Sequence, residues 1–306
     1  MNTSAVSTGA GVTVRVPAKV NVQLAVGAAR PDGFHDLANV FLAVSLFDEV
    51  TAAPADSLTV GCTGPDADQV PLDRTNLAAR AAEILAARHG ISPSVHLHIA
   101  KNIPVAGGMA GGSADGAAAL VACDALWGLN TPRAELLDIC AELGSDVPFS
   151  LVGGAALGTG RGELLTPVEA GTFHWVFAVA DGGLSTPAVF REFDRLAEGR
   201  EIPEPVASPA LLAALASGDP DALAGALSND LQPAALSLRP SLAATLGAGV
   251  DAGALAALVS GSGPTTAFLV RDPESALKVA AALEASGTCR TTRVASAPAP
   301  GAVVLP

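Results

Sequence analysis

The stretch PVAGGMAGGSAD, Pro104 to Asp115, has four glycines and three alanines among twelve residues and runs at once into an Ala-rich helical pattern that ends near Trp127. So little side chain leaves backbone N–H groups open to whatever lies outside, and the following helix aims the positive end of its dipole at the same place. That is chemistry for a polyphosphate. A flexible Gly/Ala linker is the alternative reading, but linkers are seldom bounded by a strand-like run (Val95 to Ile99) and an amphipathic helix. Neither standard nucleotide fingerprint fits, because no Lys-Ser/Thr pair closes the loop and no GxGxxG spacing occurs.

Composition narrows the field around this loop. A chain of 306 residues, half of them apolar, is long enough for one two-domain enzyme with a sizeable core. A net charge of −13 argues against nucleic acid or an anionic membrane as partner, since either would want a basic face. A phosphate site must then work through local N–H groups and a few cations. Cys62, Cys123, Cys140 and Cys289 are far apart and form no CxxC. That suits reduced thiols in a cytoplasm and gives no metal site. The N-terminus, a polar start, lacks the basic and apolar runs of a signal peptide. The uncharged stretch from Ala252 to Val270 is interrupted by Gly261-Ser262-Gly263-Pro264, which makes it a poor membrane span and a good strand–turn–strand.

In chain order, Val12 to Val16 and Val20 to Val26 alternate like half-buried strands separated by Pro17-Ala18-Lys19. Lys19 reads equally as a surface lysine at a strand break. Thr75 to Gly90 has a Thr cap, helical apolar spacing and a glycine stop, so it is a packing helix. Lys101 immediately precedes the glycine loop, and Ser113 at the loop's end could reach a phosphate or a magnesium ion. Thr131-Pro132 opens a helix that Gly144 ends. In Ser145-Asp146-Val147-Pro148, Pro148 biases Val147 away from helical geometry, which holds Asp146 on a bend; an Asx-turn or a helix cap is the ordinary role for such a carboxylate. Thr186-Pro187 opens an amphipathic helix carrying Phe190.

The segment PAKVNVQLAVGAARPDGFHD, Pro17 to Asp36, together with the glycine loop and with VSGSGPTTAFLV, Val259 to Val270, resembles the three ordered motifs of the GHMP small-molecule kinases. Its opening part is similar to the branch that phosphorylates a CDP-linked methylerythritol in the non-mevalonate isoprenoid route. The resemblance implies an α+β, two-domain GHMP kinase fold: a ribosomal S5-like N-terminal domain over residues 1–160 and a ferredoxin-like C-terminal domain over 161–306. It implies Lys19 and Asp146 as catalytic residues. It assigns the ATP phosphates to Pro104, Val105, Ala106, Gly107, Gly108, Met109, Ala110, Gly111, Gly112, Ser113 and Ala114, with Lys101 and Asn76 nearby. Substrate would meet Asn21, Phe34, His35, Phe190, Gly261 and Ser262, with Phe34 and Phe190 facing each other across the cytosine. ATP and Mg2+, the latter touching Ser113, are the implied cofactors, and a small molecule bearing a CDP group is the implied partner, in the cytoplasm. The chain departs from the pattern in having Phe34 where Tyr is usual, and Ala106 and Ala110 where Gly is frequent. Another GHMP kinase, such as one acting on homoserine, and a non-catalytic ligand sensor on the same fold are the rivals; retention of Lys19 and Asp146 speaks against the sensor.

Overall fold

The computed structural model describes residues 11–306; the polar start lies outside the described residues. Two long strands, β1 (Val12–Ala29) and β2 (His35–Pro54), form an antiparallel hairpin that is the backbone of the first lobe. The alternating apolar residues that suggested two strands belong to one. Pro17 has no N–H to give to the ladder, and the register shifts between Pro17 and Ala18, so the strand bulges and continues instead of ending. Lys19 is therefore inside β1, with only 5% of its surface exposed.

β3 (Thr59–Thr63) and β4 (Val95–Ala100) extend this sheet beyond β2, and β5 (Ala155–Thr159) and β6 (Leu164–Pro167) form a hairpin that also pairs with β2. Helices α1 (Leu77–His89), α2 (Gly111–Trp127), α3 (Arg133–Leu143) and α4 (Val147–Val152) belong to the same lobe. The abundance of alanine has its reason in α2. This helix is buried nearly all round rather than amphipathic, with Ala114, Ala117, Ala118, Ala119 and Ala122 fully enclosed. At Gly116 a Cβ would stand 3.2 Å from that of Leu77, so a small residue lets α1 and α2 approach closely.

The second lobe is built from β7 (Phe173–Val179), then α5 (Thr186–Ala197), α6 (Pro209–Ser217), α7 (Pro220–Ala224), β8 (Ser228–Asn229), α8 (Gln232–Leu238) and α9 (Ser241–Asp251), followed by β9 (Ala256–Val259), β10 (Thr266–Val270), α10 (Pro273–Ser286) and β11 (Thr291–Ala297). Its sheet has the order β11-β7-β10-β9, antiparallel throughout, which is the ferredoxin-like arrangement. β8 and the terminal β12 (Val303–Val304) return to pair with β1. Because the β5–β6 hairpin stays on the first sheet, we propose to divide the lobes after Pro167 instead of at residue 160. Leu24 and Val26 of β1, Val189 of α5, Leu231 and Val259 pack into one cluster that joins the lobes.

Candidate active site

A cavity of about 870 Å³ opens where β1, the glycine loop, α4, α5 and the β9–β10 turn converge. The loop reaches it in a conformation that explains its composition. Ala106, Gly108 and Ala110 all have positive φ, of 52°, 76° and 60°. That region is comfortable for glycine and strained for alanine. The two alanines that depart from the glycine pattern therefore occupy positions with a backbone reason for glycine. A Cβ on Gly108 would collide with the Ser260 carbonyl, so the β9–β10 turn can lie directly on the loop. Three hydrogen bonds hold it: the Lys19 N–H donates to the Met109 carbonyl at 3.2 Å, Thr265 N–H to Gly107 at 3.3 Å and Ser260 Oγ to Gly108 at 3.1 Å.

Helix α2 starts at Gly111 with no side chain capping its first turn. The N–H groups of that turn have no partner within the helix, so a 17-residue helix presents an open, positive end to the cavity. Ala106, Gly107, Gly108, Ala110, Gly111, Gly112 and Ser113 line the cavity. Pro104, Val105, Met109 and Ala114 do not; Met109 and Ala114 are fully buried and anchor the loop and helix from below. Ser113 lines the cavity, and its hydroxyl is an oxygen donor of the kind a phosphate or a magnesium ion takes.

Lys101 is a correction. It lies under the loop, 3% exposed, with Nζ 2.5 Å from Asp48 and 2.8 Å from Asp115. Asp48 also accepts the Asn102 and Ile103 N–H groups at 2.6 and 2.8 Å, so this ion cluster fixes the chain as it enters the loop. Burial pushes the Asp115 carboxyl up to about 7, against the opposing pull of Lys101. Asn76 is a second correction: it caps α1, accepting from Ala78 N–H at 2.8 Å and donating to Pro71 at 2.7 Å, and it takes the capping role expected of Thr75. Neither residue lines the cavity; the neighbouring Leu77 does.

Lys19 and Asp146 meet in the cavity, Nζ to Oδ2 at 3.6 Å. Asp146 stands at the N-cap of α4, and Val147 is the first residue of that helix, not an extended residue: Pro148 sits in the first turn, where a missing N–H costs nothing. Lys19 is held by Asn21, whose Oδ1 accepts from Nζ at 2.7 Å, and Asn21 in turn donates to Asn39 at 2.7 Å. Gly261 leaves room for both: a Cβ there would be 3.1 Å from Lys19 Nζ and from Asn21 Oδ1. Ser262 hydrogen-bonds Thr186 of α5 at 2.8 Å.

At the other end of the cavity, Phe34 is half exposed, with the Arg161 guanidinium 5.2 Å from its ring centroid. Phe190 stacks on the His35 ring, with the centroids 5.0 Å apart. Asn39, Arg161, Thr186 and Asp194 also line the cavity and were not singled out from the sequence. Only Asp194 carried a local signal, sharing a helix face with Phe190 four residues earlier.

The two-lobe architecture, with a glycine loop feeding a buried helix and a turn from the second lobe lying on it, is that of the GHMP kinases, and the chain belongs to this family. Residues 76–154 match the family model described as "GHMP kinases N terminal domain" and residues 211–289 the model "GHMP kinases C terminal". Among curated proteins it is similar to the 4-diphosphocytidyl-2-C-methyl-D-erythritol kinase of Streptomyces avermitilis, 79% identical over 96% of this chain and 99% of the relative. The enzyme of the same name from Mycobacterium tuberculosis is 58% identical over 96% of this chain and 93% of its own. A crystal structure of a 4-(cytidine 5'-diphospho)-2C-methyl-D-erythritol kinase superposes with a TM-score of 0.75 at 32% identity, covering 94% of this chain and 99% of that one. Homoserine kinase from Cytophaga hutchinsonii superposes with a TM-score of 0.74 at 19% identity over 99% of this chain and 100% of its own, a likeness of fold alone.

Proposed function

We infer that this chain is an ATP-dependent small-molecule kinase that transfers the γ-phosphoryl group to the 2-hydroxyl of 4-diphosphocytidyl-2-C-methyl-D-erythritol, in isoprenoid precursor synthesis. The observation that carries the reading is the meeting of Lys19 and Asp146, 3.6 Å apart, in one cavity with the uncapped start of α2. Phosphoryl transfer is mostly positioning and charge stabilisation. In our assignment the first-turn N–H groups of α2 and the loop amides cradle the ATP phosphates, and the Lys19 ammonium stabilises the negative charge that develops on the transferred group. Asp146 accepts the proton of the attacking hydroxyl. Asn21 and Asn39 keep Lys19 from swinging away. Ser113, with the phosphates themselves, is the residue that would hold Mg2+, which supplies neutralisation of phosphate charge when bound.

The CDP group falls to the opposite end, where Phe34, His35 and Phe190 offer two stacking faces and a polar edge. We place the protein in the cytoplasm; no helix among the described residues is long and apolar enough to cross a membrane. The test is ADP release with the CDP substrate beside homoserine and mevalonate. Turnover confined to the CDP substrate is expected, and comparable turnover with either of the others would overturn the assignment.

A further inference from the structure

The His35 imidazole is fixed on three sides. Its face lies on Phe190 at 5.0 Å, the Phe193 ring stands perpendicular to it at 5.9 Å and 84°, and its Nε2 is 2.8 Å from Asp194 Oδ1. The side chain of His35 is 5% exposed, whereas that of Asp194 is 40% exposed. Phe190, Phe193 and Asp194 all come from α5 in the second lobe, while His35 begins β2 in the first. This contact crosses the mouth of the cavity that both residues line.

A carboxylate can only accept, so the hydrogen bond requires the proton on Nε2. In the neutral ring the other nitrogen, Nδ1, then carries a lone pair. No protein group donates to it among the described residues. We propose that Asp194 is a positioning residue for acceptor specificity: it holds His35 in the Nε2–H tautomer, so that Nδ1 accepts a hydrogen bond from the exocyclic amino group of the substrate's base. Cytosine offers an amino donor at that position; uracil offers a carbonyl oxygen, which would face the lone pair and leave both unpaired. A buried acceptor left without its donor is what makes such a site selective. Stacking on Phe190 cannot supply this choice, because every base has a face to stack. An oxygen partner on one ring nitrogen thus decides what the other can do.

This inference rests on the assignment of the base to the Phe34–His35–Phe190 end, and the experiment separates the two. Imidazole 15N NMR of the ligand-free enzyme, with His35→Gln to assign the signal, reads the tautomer without any substrate. The expected result is a protonated Nε2 and an unprotonated Nδ1 in wild type, with that preference lost in Asp194→Ala. KM is then compared for the cytidine substrate and its uridine analogue at saturating ATP. Asp194→Ala should raise the cytidine KM about tenfold, which corresponds to about 1.4 kcal/mol, move the uridine KM less than twofold, and leave kcat with either substrate near wild type. Asp194→Glu should recover most of the cytidine KM. A protonated Nδ1 in wild type overturns the tautomer argument, and an equal rise in both KM values overturns the specificity role. If Asp194→Ala, His35→Gln and Phe190→Ala all leave both KM values unmoved, the base binds elsewhere, and the assignment of the CDP group falls together with this inference while the tautomer result stands.

Discussion

Gly111 and Gly112 are neighbours in the first turn of α2, yet they should fail in opposite ways. A Cβ on Gly111 would stand 2.9 Å from Lys101 Nζ and 3.1 Å from Ile103 Cγ2. The lysine cannot retreat, since Asp48 and Asp115 hold its ammonium at 2.5 and 2.8 Å in a fully buried cluster. Overpacking of this kind costs about 1–3 kcal/mol, partly offset by the roughly 1 kcal/mol that alanine gains over glycine in a helix. Gly111→Ala should therefore lose up to about 2 kcal/mol, a fall in Tm of several degrees. At Gly112 a Cβ meets nothing within 4 Å. The space it would enter is the cavity, so the larger Gly112→Val should leave Tm within about 2 °C of wild type and weaken ATP at least tenfold, a loss of about 1.4 kcal/mol or more. Both glycines line the cavity, but only at Gly112 would an added Cβ enter open space. Differential scanning calorimetry and isothermal titration with ATP measure both quantities. ATP affinity within threefold of wild type in Gly112→Val would refute the phosphate-loop assignment, and an unchanged Tm in Gly111→Ala would refute the rigid cluster beneath it.

Asp146→Asn keeps the side chain's shape and removes the base, so kcat should fall by roughly two to four decades, about 3–5 kcal/mol in barrier, with ATP affinity near normal; Lys19→Ala should lower kcat likewise, and a rise in the ATP KM alone would make Lys19 a binding residue only. Phe190→Ala removes the ring under His35 and should raise KM for the cytidine and uridine substrates alike, by about tenfold, as loss of roughly 1–3 kcal/mol of stacking implies; an effect on neither would move the base pocket elsewhere. Asp115 gives a pH signature in stability. Burial raises its carboxyl from 3.8 to about 7, so the folded state holds that proton more tightly than the unfolded one; the stabilisation is complete below about 3.8 and is lost as pH rises through about 7. Asp115→Asn should flatten that decline, and urea midpoints at pH 5.5 and 8.5 that fall as steeply as in wild type would show that another group causes it.

The glycine loop was legible because its signal is local: small residues, a strand before and a helix after. The two-sheet fold was legible through the order of three such local signals, none of which specifies a partner alone. What the sequence concealed is long-range pairing. Pro17 looked like the end of a strand, but a bulge absorbs a missing N–H when β2 supplies a continuous ladder on the other side. Lys101 looked like a phosphate ligand because it stands beside the loop, and only the fold brings Asp48, 53 residues away, beneath it.

The comparison of the two lysines shows why proximity in sequence is a poor guide to a charge's task. Lys101 sits buried between two acidic side chains, whose attraction offsets the cost of burying it and occupies its charge. Lys19 is nearly as buried, yet its close partner is the neutral Asn21, and its carboxylate, Asp146, is farther away at 3.6 Å and about one-third exposed. An ammonium paired so loosely keeps a field that a phosphoryl group can use. The second lobe makes this possible without contributing a charge: Gly261 has no side chain to occupy the space over Lys19, and Ser260 and Thr265 tie the same turn to the loop. The third motif is thus indispensable to the geometry, since it closes the wall against which Lys19, Asp146 and the start of α2 are held together.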